Sequence, residues 1–346
     1  MQKGIIHLQK KPSVIASASV VGRHEHEGPL GDCFDLHDIK DTFGMDTWEK
    51  AESEMQRLAL NCALAQCKLS ASDIDALFAG DLLNQCVGSS YGLLDFDIPY
   101  FGLYGACSTA AEGLILASML YSGGIFNRCA VVSSSHNCSA ERQFRFPVEY
   151  GGQRAPTSQW TATGAGAFVL GGDDGAAHPI IEDVLPGRAV DKGITDINNM
   201  GAAMAPAAID TLTRYFQESG RTPDSFSMIV TGDLGYEGSA ILCDFLNADS
   251  SADGTFGANH VDCGLILYDR RTQDKHAGGS GCGCSAVVMA SHILRLMRER
   301  KLTDILFLGT GALMSPMSLQ QGNSIPGIAH LVRLVTPEFT AEAKNG

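Results

Sequence analysis

The sequence contains one supersecondary unit twice, and this internal repeat constrains the fold more than any other feature. An apolar run that ends in Gly-Asp-Leu occurs at 76–82 and again at 228–234. Farther along, Gly-Ala-Cys-Ser-Thr-Ala at 105–110 has a counterpart in Gly-Cys-Gly-Cys-Ser-Ala at 281–286. Repetition of one unit predicts two pseudo-symmetric halves rather than two unrelated domains.

The boundary between the halves is expected in a turn-rich segment, Gly-Gly-Asp-Asp-Gly at 171–175. The predicted halves are therefore residues 1–171 and 172–346. Short apolar runs such as 129–135 predict buried strands, and the helical spacing of apolar side chains in 48–67 predicts an amphipathic helix. Helices that alternate with strands are typical of an α/β sheet.

One long segment has neither the helical nor the strand spacing of apolar residues. Residues 141–160 carry Arg142, Arg145 and Arg154 among aromatic side chains. The pattern predicts a long irregular loop, and such loops in compact domains are usually functional.

The charge of the chain excludes two classes of partner. It has 25 Lys and Arg against 39 Asp and Glu, a formal net charge of -14 at pH 7. Nucleic acids and anionic membrane surfaces bind clusters of Lys and Arg. We therefore expect no nucleic acid partner, and any membrane association must be made through another protein.

Cysteine usage and apolar segments indicate the compartment. The 11 cysteines are an odd number without paired spacings, which is typical of a reducing compartment. Residues 1–11 lack the apolar core of a signal peptide, and the longest apolar stretch, 113–126, is too short to span a bilayer. We expect cytosolic synthesis and no transmembrane segment. A zinc site needs two Cys or His pairs at a characteristic spacing, and the sequence has no second pair of this kind. We therefore expect no metal, and we also expect no cofactor.

Cys107 is the first candidate for chemistry because it lies where a predicted strand, 99–104, meets a strongly apolar helix, 107–121. In the first turn of a helix, unpaired amides and the positive end of the dipole lower the pKa of a thiol and can hold an anion. Small neighbours leave room for a ligand. A buried structural cysteine would fit the same pattern.

In this chain a cysteine begins the central helix of one half, and a glycine-rich loop precedes the corresponding helix of the other half. This arrangement resembles that of the thiolase superfamily, which includes thiolases and ketoacyl synthases. Within that superfamily the chain resembles the stage V sporulation protein AD family of spore-forming bacteria. The stretches that carry the resemblance span almost the whole chain and are 79–85, 105–109, 134–137, 140–145, 204–208, 262–264 and 277–282.

The resemblance implies an α/β, thiolase-like fold in a layered α-β-α-β-α arrangement, with two helices back to back between two five-stranded sheets. It implies a homodimer in which the first-half sheets pair. It also implies a protein that binds dipicolinic acid (pyridine-2,6-dicarboxylate) and supports its uptake into the forespore. The membrane passage would be made by membrane proteins of the same sporulation operon, with this protein peripheral at the forespore or spore inner membrane.

Dipicolinate is a rigid aromatic dianion, so a site for it should combine helix-end amides with a cationic or aromatic wall. We expect the amides at the two central helix starts to face one shared cleft, and arginines to supply charge unless they are only solvated. His136, at a strand end, could contact the ligand or be a structural imidazole bonded to the backbone. The predicted ligand contacts are Cys107, His136, Arg142, Arg145, Arg154, His260, Cys282, Gly283 and Cys284.

Catalysis is the alternative interpretation. Acyl transfer through Cys107 needs a base and an oxyanion donor, and His260 falls where the resembling ketoacyl synthases place a catalytic His. The rest of the set is incomplete, because Cys282 stands where the synthases carry Asn and 310–312 reads Thr-Gly-Ala where thiolases carry a second reactive Cys. We therefore expect a non-catalytic binding protein. A thiolase-like or synthase-like acyltransferase and a scaffold in a membrane complex stay open.

Overall fold

A computed structural model describes residues 4–145, 154–172, 175–248 and 256–337, without the side chain of Arg145. The strands are β1 Ile6–His7, β2 Ser13–Gly22, β3 Leu36–Asp38, β4 Ala76–Gly80, β5 Tyr100–Gly102, β6 Cys129–Ser135, β7 Trp160–Thr161, β8 Gly164–Gly171, β9 Ile180–Leu185, β10 Met228–Thr231, β11 His260–Asp262, β12 Gly279–Ser280, β13 Asp304–Ala312 and β14 Gly327–Val335. The helices are α1 Arg23–His26, α2 Trp48–Gln66, α3 Val87–Gly92, α4 Thr109–Ser122, α5 Asn137–Arg145, α6 Met200–Ser219, α7 Gly235–Ala248, α8 Cys263–Ile266, α9 Cys282–Val288, α10 Leu294–Arg298 and α11 Pro316–Gln320.

Two five-stranded sheets repeat one topology. The first has the order β5-β4-β6-β8-β2, and the second has the order β11-β10-β13-β14-β9. In each, the first three strands are parallel and the last two pair antiparallel to their neighbours. A single pairing, Ser13 with Ile180, joins the sheets through β2 and β9. The repeated topology agrees with the internal sequence repeat, while the boundary after residue 171 stays a prediction.

The alternation of side chains along each strand divides the core into layers. In the first sheet, Phe78 and Val131 face a central core, whereas Leu77 and Ala130 face α2. The second sheet is built in the same way and turns its other face to α6 and α7. The central core contains α4 and the continuous helix formed by α9, a π turn and α10. The layered α-β-α-β-α fold is therefore confirmed.

The central helices approach the sheets closely because small residues lie at the contacts. A Cβ on Gly309 of β13 would lie 2.6 Å from the Cβ of Ala111 in α4. A Cβ on Gly166 of β8 would lie 2.6 Å from the carbonyl carbon of Ala286 in α9. These contacts fix the positions of α4 and α9 relative to the strands on which they pack.

Of three local sequence predictions, two are confirmed and one is wrong at its start. The helix predicted over 48–67 is confirmed as α2, and the strand predicted over 129–135 is confirmed as β6. The prediction of one irregular loop over 141–160 is wrong at its start, because α5 continues to Arg145. Residues 146–153 lie outside the described part of the chain. The polar and apolar residues of α5 lie on different faces of the helix. A search for continuous apolar runs does not detect a helix of this kind.

We predict that Gly309→Ala lowers the free energy of unfolding by about 1–3 kcal/mol, because the new methyl group would press against Ala111 in a close-packed core. Gly123→Ala is the matched control: Gly123 ends α4 at φ -73°, and the Met119 carbonyl oxygen would lie 3.4 Å from the new Cβ. Urea unfolding of the two variants and the parent chain makes the measurement. Equal midpoints for all three proteins would show that the helix and the sheet are not tightly packed at Gly309.

Candidate functional site

Cys107 lies in a tight turn, residues 106–108, between β5 and α4. Ala106 has φ 50°, a left-handed conformation that L-residues rarely adopt. Gly311 of β13 packs against this turn, and a Cβ there would lie 2.6 Å from the Gly105 carbonyl oxygen. The prediction that Cys107 begins a central helix is thus confirmed within two residues.

The cysteine is 5% exposed and lines a narrow cleft of about 40 Å³. Most of the lining is apolar, and the described residues that form it include no Lys, Arg or His. They are Leu82, Tyr104, Ala106, Cys107, Ala140, Glu141, Phe144, Thr161, Met200, Ser280, Ala312 and Met314. A cleft of this size and composition does not suit a dianion, because burying a carboxylate without a cation or donors is costly.

A buried carboxylate, Asp233, organises the floor beneath Cys107. It accepts hydrogen bonds from the Ser280 hydroxyl at 3.1 Å, the Gly281 amide at 3.0 Å and the Thr310 hydroxyl at 2.8 Å. The Cys107 sulfur lies 3.7 Å from the Ser280 oxygen. Asp233 therefore joins the loop after β10, the start of α9 and the end of β13 at one point.

This environment suppresses the thiolate. Burial, followed by the charge and hydrogen bonding of Asp233, raises the pKa of Cys107 well above the usual thiol range. Burial also raises the pKa of Asp233 to about 6, although the donors around it act in the opposite direction. The expectation that the helix start would lower the pKa of Cys107 is wrong, because desolvation and a nearby carboxylate outweigh the dipole.

The amides at the two helix starts are largely used within the protein. The Gly281 amide donates to Asp233, and the Gly283 amide donates to the Ser135 hydroxyl at 3.1 Å. At the other start, the Ser108 amide donates to the Gly105 carbonyl at 3.1 Å. The expected shared cleft of ligand-binding amides is therefore not formed by these groups.

The second helix start also buries its cysteines. Cys282 and Cys284 are fully buried, and neither is among the residues that line the Cys107 cleft. The Cys282 thiol donates to the Ser134 carbonyl at 2.9 Å and packs behind Leu82 and Ala140. Cys284 belongs to the central core. The chain turns these side chains away from the cleft that the sequence assigned to them.

The two candidate histidines make structural hydrogen bonds. His136 is buried, accepts from the Cys138 amide at its Nδ1 and donates from its Nε2 to the Asp41 carbonyl at 2.8 Å. His260 begins β11 at the far end of the second sheet, with its Nε2 2.9 Å from the Thr231 hydroxyl oxygen. Burial lowers the pKa of His260 to about 4, so the ring is neutral.

His260 is not among the residues that line the Cys107 cleft. Its assignment to the position of a catalytic histidine rested on order along the chain, and the structure places it next to Phe256 instead.

The two candidate arginines whose side chains the structure describes, Arg142 and Arg154, lie in different places. Arg142 is exposed and pairs with Glu49. The side chain of Arg145 lies outside the described part of the chain. Arg154 lines a different cleft, in which its guanidinium lies 4.8 Å from the ring centroid of Trp160. Of the predicted ligand contacts with a described side chain, only Cys107 lines the narrow cleft and only Arg154 lines the second one.

Sequence reasoning missed the two aspartates of the repeated Gly-Asp-Leu turns, although the repeat itself was the signal. Asp81 accepts from the Ser89 hydroxyl and amide in the first half, as Asp233 does from its donors in the second. Burial raises the pKa of Asp81, and burial and Asp81 together raise the pKa of Glu52 in α2. In both halves the aspartate holds the loop that follows a parallel strand.

The fold and the cysteine at the start of α4 define a protein of the thiolase-like class. The chain is similar to 3-oxoacyl-[acyl-carrier-protein] synthase III from Aquifex aeolicus VF5, with a TM-score of 0.58, 13% identity and coverage of 93% of this chain and 99% of that one. It is also similar to cerulenin-bound OleA of Xanthomonas campestris, with a TM-score of 0.61, 15% identity and coverage of 95% and 100%. At these identities the likeness concerns the fold alone.

The chain belongs to the stage V sporulation protein AD family, whose family model matches residues 2–335. Stage V sporulation protein AD of Bacillus subtilis (strain 168) is 44% identical over 317 residues, which are 92% of each chain. The family resemblance inferred from the sequence motifs is thereby confirmed. Among the described helices, none combines the length and apolar character needed to cross a bilayer.

We predict that Cys107 reacts with iodoacetamide at pH 7.5 at least about tenfold more slowly than a free thiol, because its raised pKa leaves little thiolate. The rate should rise steadily as the pH approaches 10. Peptide mapping by mass spectrometry separates Cys107 from the other cysteines, and the urea-unfolded chain supplies the reference rate. A folded-state rate above the unfolded one at pH 7.5 would identify an activated nucleophile and contradict the prediction.

Proposed function

We propose that this chain is a non-catalytic, thiolase-fold protein of sporulation that binds dipicolinic acid and supports its uptake into the forespore. The observation that carries the non-catalytic part is the environment of Cys107: a carboxylate lies beside the thiol, and none of the described residues that line its cleft carries an imidazole. Membership of the sporulation family supports the biological role.

The acid-base chemistry of the Cys107 cleft argues against acyl transfer. A thiol nucleophile needs a base that removes its proton and a cation or dipole that stabilises the thiolate. Ionising Cys107 beside Asp233 would instead place two negative charges together in a buried site. The described residues that line the cleft also include no Asn or His side chain to stabilise an oxyanion.

The ligand follows from the family resemblance and from charge. Dipicolinate carries two carboxylates on a planar ring, and proteins bind such anions with Lys and Arg next to an aromatic surface. Trp160 has two cationic side chains against its ring, Arg154 and Lys275. This surface supports dipicolinate binding without any use of Cys107.

We predict that calorimetric titration with dipicolinate gives saturable heat, both for the parent chain and for Cys107→Ala. Incubation with an acyl-CoA should leave no acyl adduct on Cys107 in intact-mass measurements, because the thiol is protonated and the described lining of its cleft includes no imidazole. A dipicolinate titration without heat, together with an acyl adduct that disappears in Cys107→Ala, would replace this proposal with the acyltransferase alternative.

Association with membranes is proposed to occur through partners. The membrane proteins encoded by the same sporulation operon are the proposed partners, and the protein is proposed to lie peripherally at the forespore or spore inner membrane. The net charge of -14 supports this arrangement because a direct contact with anionic lipid would be repulsive.

A homodimer is also proposed, with the first-half sheets pairing through β5. This edge strand exposes Tyr100 and Phe101, and the neighbouring Tyr91 and Leu94 are 72% and 69% exposed. An edge strand with exposed aromatic residues is a ready template for pairing, and native proteins usually protect such edges.

We predict that the parent chain sediments as a dimer and that Phe101→Lys shifts it toward monomer, because a charge would be buried at the paired edge. Ile125→Lys is the control, since Ile125 is a 63% exposed apolar residue in the turn after α4. Sedimentation velocity over a concentration series makes the comparison. A monomeric parent chain, or equal effects of the two substitutions, would contradict the proposed interface.

A further inference from the structure

A cysteine at the margin of the central core has two basic side chains beside its sulfur. Cys33 ends the short turn Gly31–Cys33, and its sulfur accepts a hydrogen bond from Nη2 of Arg295 at 3.2 Å. The same sulfur lies 3.9 Å from Nδ1 of His292. In the described part of the chain, both hydrogen-bonding partners of this sulfur are therefore basic. The fold brings them to Cys33 from 259 and 262 residues farther along the chain.

A reagent in solution can reach this sulfur without unfolding the protein. Cys33 is partly exposed and packs against the outside of the central core. The side chain of Arg295 is 46% exposed. The neighbouring Asp32 is also exposed, so solvent screens the charge of its carboxylate. The site is therefore open on the side where the guanidinium lies.

The helix that carries the two basic groups is distorted at His292. Residues Met289–Ile293 form a π turn between α9 and α10, which interrupts the regular hydrogen bonding of the helix. Such turns are rare and occur frequently at functional sites. Side chains three positions apart are neighbours on a helix surface, and here His292 and Arg295 both meet Cys33.

The acidic residues closest to the cluster are engaged with other groups. Asp35 accepts a hydrogen bond from the Ser19 amide at 2.8 Å, which directs its carboxylate toward β2. Glu299 lies 4.0 Å from Nε of Arg295, while Nη2 of the same guanidinium donates to Cys33. The group in contact with the sulfur is therefore a cation rather than a carboxylate.

These surroundings favour a reactive thiolate. An adjacent guanidinium compensates the negative charge of a thiolate. Burial, followed by the charge of Arg295, lowers the pKa of His292, so its ring is neutral near pH 7 and can accept the thiol proton. Cys107 has the opposite surroundings, because the Asp233 carboxylate disfavours its thiolate.

The other cysteines are less suited to react. Cys67 ends α2, where the negative end of the helix dipole disfavours a thiolate, and its thiol donates to the Ala63 carbonyl at 3.3 Å. Burial raises the pKa of Cys62, Cys86, Cys107, Cys129, Cys138, Cys243, Cys263, Cys282 and Cys284. Cys33 is therefore the thiol that the structure favours for reaction with a reagent in solution.

We infer that Cys33 is a reversible modification site that forms mixed disulfides with anionic low-molecular-weight thiols. The co-reactant is the disulfide of such a thiol. His292 accepts the proton of Cys33, and the resulting thiolate attacks one sulfur of the reagent. A new sulfur–sulfur bond forms as the bond of the reagent breaks, and the other half leaves as a thiolate with the electron pair.

The electrons and the charge of the reaction are both accounted for. Cys33 is oxidised and the departing half of the reagent is reduced, so no further oxidant is needed. An excess of a reducing thiol reverses the exchange. Arg295 also attracts the carboxylates of the modifying thiol, which favours anionic over cationic reagents. Dipicolinate takes no part, so this site does not depend on the proposed function.

The probe is glutathione disulfide, which is anionic, and cystamine is its cationic counterpart. Each reagent is incubated with the folded chain at pH 7.5, and peptide mapping by mass spectrometry gives the rate of modification at each cysteine. Cys67 is the internal reference because it is also partly exposed but lies at a helix end that disfavours its thiolate. An unchanged rate at Cys67 in a variant shows that the variant is folded.

We predict that glutathione disulfide modifies Cys33 about 3- to 10-fold faster than Cys67, because an ordinary thiol is only about one-tenth ionised at pH 7.5. Arg295→Met should remove most of this difference and should slow glutathione disulfide more than cystamine. His292→Gln should slow both reagents, since the proton acceptor is lost. Arg271→Met is the control for loss of an exposed positive charge, and it should change the rate at Cys33 by less than about twofold.

The rates at Cys33 decide the inference. Slower modification of Cys33 in Arg295→Met, with an unchanged rate at Cys67 and a reduced preference for the anionic reagent, would support it. A rate at Cys33 no higher than that at Cys67 in the parent chain would overturn it. Equal effects of Arg295→Met and Arg271→Met would overturn it as well. Each of these results leaves the proposed function unaffected, because dipicolinate is absent from the experiment.

Discussion

The structure depends on one packing arrangement, the burial of α4 and α9 between two sheets. Gly309 and Gly166 allow these helices to lie close to the strands because the strand side of each contact carries no Cβ atom. Because these close contacts hold α4 and α9 in position along the strands, the first residues of both helices lie at the ends of the parallel strands. In open α/β sheets that is where functional loops gather, and here both the Cys107 turn and the α9 start lie there.

The carboxylate of Asp233 then influences which chemistry is possible at this edge of the sheets. Asp233 accepts hydrogen bonds from two segments of the second half, residues 280–281 and the end of β13, and it disfavours a charged thiol at Cys107. The same fold can support acyl transfer only when a base and oxyanion donors face the cysteine. In this chain the equivalent space holds a narrow, largely apolar cleft, so the scaffold and the chemistry are separable.

The β7–β12 ladder connects the two clefts while it keeps them chemically distinct. One face of this ladder presents Thr161 and Ser280 to the cysteine, and the other presents Trp160 to Lys275 and Arg154. The two sides differ in charge, because the described lining of the first includes no Lys, Arg or His, whereas the second includes Lys275 and Arg154.

The sequence by itself determined the repeated unit, helix α2, strand β6 and the position of Cys107 at a helix start, because periodicity and the Gly-Asp-Leu repeat are local properties of the chain. It placed His260 and the α9 cysteines in the site from their order along the chain. That order does not specify where a side chain points. Only the tertiary structure decided that the helix-start amides are occupied, that Asp233 opposes the thiolate, and that Lys275 lies against Trp160. These properties depend on desolvation and on contacts between residues far apart in sequence, which no local pattern encodes.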